Sequence, residues 1–260
     1  MCLIIFAWDK HSNYKLALTA NRDEFYDRPT KPAHFWPETP DLLAGRDSKA
    51  GGTWLGITRQ GKFAAITNYR DPANIKQEAP SRGELTFNFL KNDITPLKYL
   101  EKLSSSAKDY NGFNLLVGNL KELYFYSNVE GEIKALVPGL YGLSNHLLDT
   151  PWPKVEMGKQ LFQKWMTSPA GNEAQILDLM DNKKLAADAK LPSTDVPLEW
   201  ERALSAMHIQ TEKYGTVSTT SLLVGRDGQV KLVEKTFNNP LGPLQEKEFV
   251  FQLDSEEIPI

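Results

Sequence analysis

The chain has 260 residues, 41% apolar and 24% charged, with 17 glycines and 16 prolines. That is long enough to bury a full core without staples and ordinary for a soluble globular protein. A formal net charge of −3, with lysines scattered among acids, leaves no electrostatic footprint for nucleic acid or an anionic membrane surface.

Residues 3–8 read as a buried strand and 15–20 as its alternating partner, with His11-Ser12-Asn13 turning between them. The stretch 21–41 carries prolines at 29, 32, 37 and 40 and has neither helical nor strand period. It is predicted to be a long surface loop. Strand patterns resume at 42–45, 53–58 and 62–68, the last two joined by a hairpin turn at Thr58-Arg59-Gln60-Gly61. Ser81, three residues before Glu84, has capping-box spacing and opens a predicted helix to about Leu90. Pro96 opens a second helix to Ser105.

Strands are predicted at 113–119, 122–128, 132–136 and 140–144. Val155, Met157, Leu161, Phe162 and Trp165 then recur at helical spacing over 153–166. Helices over 173–182 and 198–206 flank an exposed connection, 183–197, and strands at 216–225 and 230–237 turn at Arg226-Asp227-Gly228. Runs of strands and helices, rather than βαβ alternation, predict an α+β fold of antiparallel sheets with segregated helices, in one domain over 1–260.

The single cysteine, Cys2, excludes an intrachain disulfide and fits a reducing compartment. No segment has the length of a transmembrane helix or the flanks of a signal peptide, and the C-terminal Ile258-Pro259-Ile260 is no sorting signal. A cytoplasmic location without membrane insertion is expected.

Cys2 follows the initiator methionine directly. Removal of Met1 leaves one residue bearing both a thiol and an α-amine. An α-amine of pKa about 7.7–8.0 is largely neutral near physiological pH and can take the thiol proton. The competing reading is a small buried residue on a core strand. Asn21-Arg22-Asp23-Glu24 is the densest polar cluster, at the end of the second strand. It is either a turn held by its own ion pair or a group that reaches the amino terminus, Asp23 accepting from the amine. Asn68 and Asn145 each end a strand; their amides suit an oxyanion, and asparagine also forms turns.

Gly51-Gly52 permits close backbone approach ahead of Trp54, without the signature of a phosphate loop. The four histidines, His11, His34, His146 and His208, are isolated, so neither a metal site nor a cofactor is predicted.

Together these blocks resemble the NRDE family, which includes the transport and Golgi organisation protein two group. The resemblance rests on Met1-Cys2-Leu3-Ile4, Asn21-Arg22-Asp23-Glu24-Phe25, Ala44-Gly45-Arg46-Asp47 and Gly51-Gly52-Thr53-Trp54. It continues through Thr67-Asn68-Tyr69-Arg70, Tyr141-Gly142-Leu143-Ser144-Asn145, Pro151-Trp152-Pro153-Lys154, Tyr214-Gly215-Thr216 and Glu234. That family is similar to N-terminal-nucleophile amidases, which implies a four-layer αββα sandwich.

The resemblance further implies Cys2 as nucleophile, Asn21 and Asp23 as an Asn-x-Asp segment with Asp23 holding the amine, Arg22 beside them, and Asn68 and Asn145 as oxyanion donors. Trp54, Tyr69, Arg70, His146, Tyr214 and Thr216 become candidates for lining the pocket of a small amide or acyl substrate. Two positions depart from the pattern: Ala20 where the hydrolases carry arginine, and Val217 where many relatives do. The alternatives are a non-catalytic binding or trafficking protein for haem or acyl and lipid ligands, and a secretory-pathway organiser.

Overall fold

A computed structural model describes residues 2–168, 173–237 and 243–254. Met1 and the C-terminal Ile258-Pro259-Ile260 lie outside the described residues. One antiparallel sheet is built from β1 (Cys2–Trp8), β2 (Tyr14–Phe25), β10 (Gly139–Leu143), β11 (Tyr214–Gly225), β12 (Gln229–Phe237) and β13 (Pro243–Gln252), in the order β10-β1-β2-β11-β12-β13. The second is a meander of β3 (Thr30–Trp36), β4 (Thr39–Asp47), β5 (Leu55–Thr58), β6 (Phe63–Asn68), β7 (Phe113–Gly118), β8 (Leu123–Ser127) and β9 (Ile133–Ala135).

Strand alternation sends Ile4, Phe6 and Leu18 of the first sheet against Leu43, Ile57, Phe63 and Phe125 of the second. The reverse face of the first sheet, with Leu3 and Ile5, packs under Phe162 and Trp165 of α3 (Pro153–Thr167) and Ile176 of α4 (Glu173–Asp178). The reverse face of the second, with Leu42 and Ile66, packs under Phe89 of α1 (Gly83–Lys91) and Leu100 of α2 (Pro96–Ser104). Each fully buried Leu or Phe contributes about 1.5–3 kcal/mol. The result is the four-layer αββα sandwich of an α+β fold. A last short helix, α5 (Leu198–Leu204), brings Leu204 onto Ile209 and Tyr214.

Residues 21–41 correct the sequence reading: they are mostly strand. β2 continues to Phe25, and β3 and β4 follow. The prolines that argued for a loop sit where a sheet tolerates them. β3 is an edge strand, its register slips between Lys31 and His34 around Pro32, and Pro37 and Pro40 fall where the β3–β4 register slips again.

The capping box does not form either. α1 starts at Gly83 without a side-chain cap, and the Glu84 carboxylate instead accepts from the Tyr110 hydroxyl at 2.5 Å. α4 stops at Asp178, four residues before the predicted end. β13 was missed altogether, because Gln245-Glu246-Lys247-Glu248 lacks the apolar residues that mark a strand. It is a charged sheet edge.

Candidate active site

Three strand ends converge. In the first sheet Cys2 pairs with Arg22 on β2, and Asp23 pairs with Thr216 on β11. The β11 register shifts between Thr216 and Ser218, so Val217 occupies a bulge beside this pair. On the other side of β1, β10 runs out through Ser144 and Asn145, and the Ser144 hydroxyl donates to the Cys2 carbonyl at 3.1 Å.

The end of β6 in the second sheet is stitched to the same place. Thr67 Oγ1 donates to the Ser144 carbonyl at 2.7 Å, and Asn145 Nδ2 donates to the Asn68 carbonyl at 2.9 Å. The Arg70 N–H donates to the Asn145 carbonyl at 2.8 Å. The adjacent residues Ser144 and Asn145 therefore tie the Cys2 carbonyl on one side to the Asn68 carbonyl on the other. Asn145 is fully buried and has one of its two N–H groups committed to Asn68. Among the described residues the Asn68 amide makes no hydrogen bond and borders a cleft of about 420 Å³. Tyr69, Arg70 and Arg82 also line that cleft.

The charges around Cys2 are buried. Burial pushes the thiol's pKa up and nearby Asp23 adds to the rise; the Arg22 guanidinium and an Asp23 main-chain hydrogen bond oppose it. Burial likewise raises the Asp23 carboxyl, against Lys154, the hydrogen bond that Thr216 Oγ1 donates to Asp23 Oδ1 at 2.7 Å, and Arg22. Arg22 lies over the Trp54 ring, 4.4 Å from its centroid, and donates to Thr30 Oγ1 at 3.1 Å. Arg70 donates to Glu201 Oε2 at 2.8 Å in a buried ion pair and lies over Trp152.

Not every candidate points at this centre. Asn21 neighbours Arg22 but faces away, as strand alternation requires. Its Nδ2 donates to the carbonyls of Met180 and Met207 at 3.1 and 2.8 Å, and its Oδ1 accepts from Thr219 at 2.6 Å. That amide braces the segments after α4 and α5. Tyr69 and His146 hydrogen-bond each other at 3.0 Å, and His146 Nδ1 lies 2.9 Å from Thr150 Oγ1. Burial and then Arg70 hold the His146 pKa below the usual range. Tyr214 is buried and donates to the Asp23 carbonyl at 3.1 Å, so it supports the Asp23 main chain. Among the described residues no group of three or more His, Cys, Asp or Glu is placed to hold a metal, and no helix is long and apolar enough to cross a membrane.

Lys154, Ser144 and Glu201 were not singled out from the sequence. Lys154 had a readable signal. Counting in helical steps, 154, 158, 162 and 165 share one face of α3, and the last two are core aromatics, so the lysine must lie on the buried face. It does, at 2% exposure. Glu201 becomes a partner of Arg70 only through tertiary packing.

Comparison with known proteins places the chain. Curated relatives include the Transport and Golgi organization 2 homolog of Mus musculus, 38% identical over 264 residues that cover 91% of this chain and 93% of that one. The Homo sapiens homolog is 37% identical over 281 residues, 98% and 100% of the two chains. Among solved structures, a Caenorhabditis elegans ortholog of N-acylethanolamine-hydrolyzing acid amidase covers 85% of this chain and 92% of its own at 11% identity, with a TM-score of 0.43. A C2A mutant of conjugated bile acid hydrolase from Clostridium perfringens covers 98% and 97% at 10% identity, with a TM-score of 0.44. The model of the family described as Transport and Golgi organisation 2 matches residues 1–239, and the chain belongs to that family.

Proposed function

We propose that the protein is an N-terminal-nucleophile hydrolase that cleaves an amide bond through Cys2 once Met1 has been removed. The observation that supports this reading is that the Ser144 hydroxyl donates to the Cys2 carbonyl at 3.1 Å and the Asn145 amide to the Asn68 carbonyl at 2.9 Å, which ties the start of β1 to the strand ends that carry both asparagines. In the reaction the neutral α-amine of Cys2 takes the Sγ proton and the thiolate attacks the amide carbonyl carbon. The oxyanion accepts from the Asn68 amide and the remaining Asn145 N–H. Collapse breaks the C–N bond, and the leaving amine takes the proton from the α-ammonium. Water, deprotonated by the same α-amine, then attacks the thioester and releases the carboxylic acid and the thiol.

The test is intact mass and turnover on a panel of N-acyl amides, with wild type compared to Cys2→Ala. The expected result is a mature chain beginning at Cys2, a transient acyl adduct on it, and no turnover in the variant. Turnover by a chain that keeps Met1, or by Cys2→Ala, would overturn the mechanism.

A second reading, a non-catalytic carrier of an acyl or haem ligand, draws support from burial holding the thiol's pKa up, which favours a protonated, unreactive sulfur. It predicts saturable ligand binding that persists in Cys2→Ala, with no acyl adduct in wild type.

A further inference from the structure

The cleft beside Asn68 holds a cation with no counter-ion among the described residues. Arg82 precedes α1, is half-buried, and lines the cleft of about 420 Å³ together with Asn68 and Tyr69. Its Nη1 donates to the Gly112 carbonyl at 2.9 Å, and the Tyr69 N–H donates to the same oxygen at 2.9 Å. One carbonyl therefore fixes the guanidinium to the residue next to Asn68, the candidate oxyanion donor. Among the described residues nothing accepts from Arg82 Nε or Nη2, and no carboxylate pairs with the guanidinium.

The acids around it are engaged elsewhere. Glu84 accepts from the Tyr110 hydroxyl at 2.5 Å, and Asp71 from the Asn74 amide at 2.8 and 2.9 Å. Glu24 lies 3.7 Å from both Arg22 and Arg28. The other cations of the cleft differ in setting: Arg70 is paired with Glu201 at 2.8 Å, and Lys76 and Lys108 are exposed at its rim. Asp71 is the one acid among the described lining residues, so the cleft is cationic in a chain whose formal net charge is −3. Burial lowers the Arg82 pKa; Glu24 and then Cys2 act against that, and Arg28 adds to it.

The uncommitted edge has a defined chemistry. With Nη1 on Gly112, the Nε–H and Nη2–H remain as two parallel donors, the fork that takes a carboxylate bidentately. Arg202 uses that same edge on Asp188, from Nε at 2.8 Å and Nη2 at 2.6 Å.

We propose that Arg82 makes this cleft a carboxylate subsite, so that the substrate is an amide bearing a carboxylate close to the carbonyl that Asn68 polarises. The subsite stands on Arg82 itself; its place in turnover rests on the hydrolase reading. The carboxylate fills both donors of the fork, and the amide carbonyl then falls to Asn68. An amide without that charge leaves the guanidinium half-buried and unpaired, and its binding is penalised.

The experiment titrates N-octanoylglycine and N-octanoyl-β-alanine, each beside its uncharged carboxamide, into the full Cys2→Ala chain, which lacks the nucleophile. Calorimetry is expected to show at least one acid held about ten- to a hundredfold more tightly than its carboxamide. Adding Arg82→Met abolishes that margin and leaves carboxamide affinity unchanged. Equal affinity for acid and carboxamide, or a margin that survives Arg82→Met, overturns the subsite. If Arg82→Met does not fold, having lost the Gly112 contact, the arginine Nε–H resonance absent from Arg82→Lys reads the site directly. It is expected to shift with an acid and to stay with the carboxamides; no shift with either acid overturns the proposal. An N-octanoyl aminomethylphosphonate bound more tightly than both acids overturns the assignment to a carboxylate. Wild-type turnover is scored separately. Acids bound through Arg82 but not hydrolysed count against the hydrolase reading and leave the subsite, whereas amides hydrolysed without regard to charge end the subsite and leave the hydrolase.

Discussion

The Asn145 amide donates to the Asn68 carbonyl across 2.9 Å, so one contact both spaces the two candidate oxyanion donors and ties the first sheet to the second. The two asparagines therefore separate on substitution. Asn68→Ala removes an amide with no partner among the described residues, and turnover is expected to fall by about 10²–10³ with little change in stability. Asn145→Ala loses turnover to the same degree and also about 1–3 kcal/mol of stability, because it removes the hydrogen bond from a fully buried amide to the partly buried Asn68 carbonyl. Urea unfolding alongside amide turnover checks both. Equal stability losses in the two variants would contradict the assignment.

Asn21 sits in the same four-residue cluster yet serves the scaffold. Asn21→Ala strips partners from the carbonyls of Met180 and Met207 and from the Thr219 hydroxyl. The expected cost is about 2–4 kcal/mol. Turnover per folded molecule falls far less than in Asn68→Ala. Denaturant midpoints and activity normalised to the folded fraction measure the two effects.

What could be read from the sequence follows from the range of the interactions. The β1–β2 hairpin, the β5–β6 turn and the apolar face of α3 are set by neighbours a few residues apart, and their period survives in the residue pattern. β3 was hidden because Pro32 and a register slip erase the alternation, and an edge strand bears both. β13 was hidden because it pairs through main chain while presenting charge. At the site, the positions of Cys2, Asp23, Asn68 and Asn145 at strand ends were legible. Which way each side chain points was not. Asn21 turns to the segment after α4 and Arg22 to Trp54 through strand alternation, and the Arg70–Glu201 ion pair joins residues far apart in the chain, which no local pattern encodes.

The glycine pair before Trp54 makes a backbone-to-backbone contact that leaves no room for a side chain. Gly51 adopts a φ of 79°, and a Cβ on Gly52 would lie 2.4 Å from the Gly83 carbonyl carbon at the start of α1. The Thr53 N–H donates to that same Gly83 carbonyl at 3.2 Å, so main chain cannot give way there without losing the contact. Gly52→Ala is expected to cost about 1–3 kcal/mol, as overpacking does. It also displaces Arg82, the residue before α1, from the cleft beside Asn68. Thermal unfolding measures the first effect, and KM for a turned-over amide the second. A variant as stable as wild type would show that α1 is not held here.

Glu234 offers the clearest pH dependence. It is buried between the sheets, with Oε1 accepting from the Ala33 N–H at 2.6 Å and Oε2 from Thr220 at 3.4 Å. Burial raises its pKa in the folded state, and the Ala33 and Thr220 hydrogen bonds only partly offset this. The unfolded carboxyl titrates near about 4.3. Between that value and the folded pKa the native chain binds more protons than the unfolded one, so this group's contribution to stability falls as pH rises through the window. Glu234→Gln removes the titration and keeps both contacts, its amide oxygen accepting from Ala33 and its NH₂ donating to Thr220. The variant is therefore expected to match wild type near pH 4 and to equal or exceed its stability at pH 7. Glu234→Ala, which leaves the Ala33 N–H unpaired, loses about 1–3 kcal/mol at both. Urea unfolding of the three proteins across pH 4 to 7 decides it: a Glu234→Gln variant that loses stability as pH rises relative to wild type would mean that the carboxylate is stabilised, not strained, between the sheets.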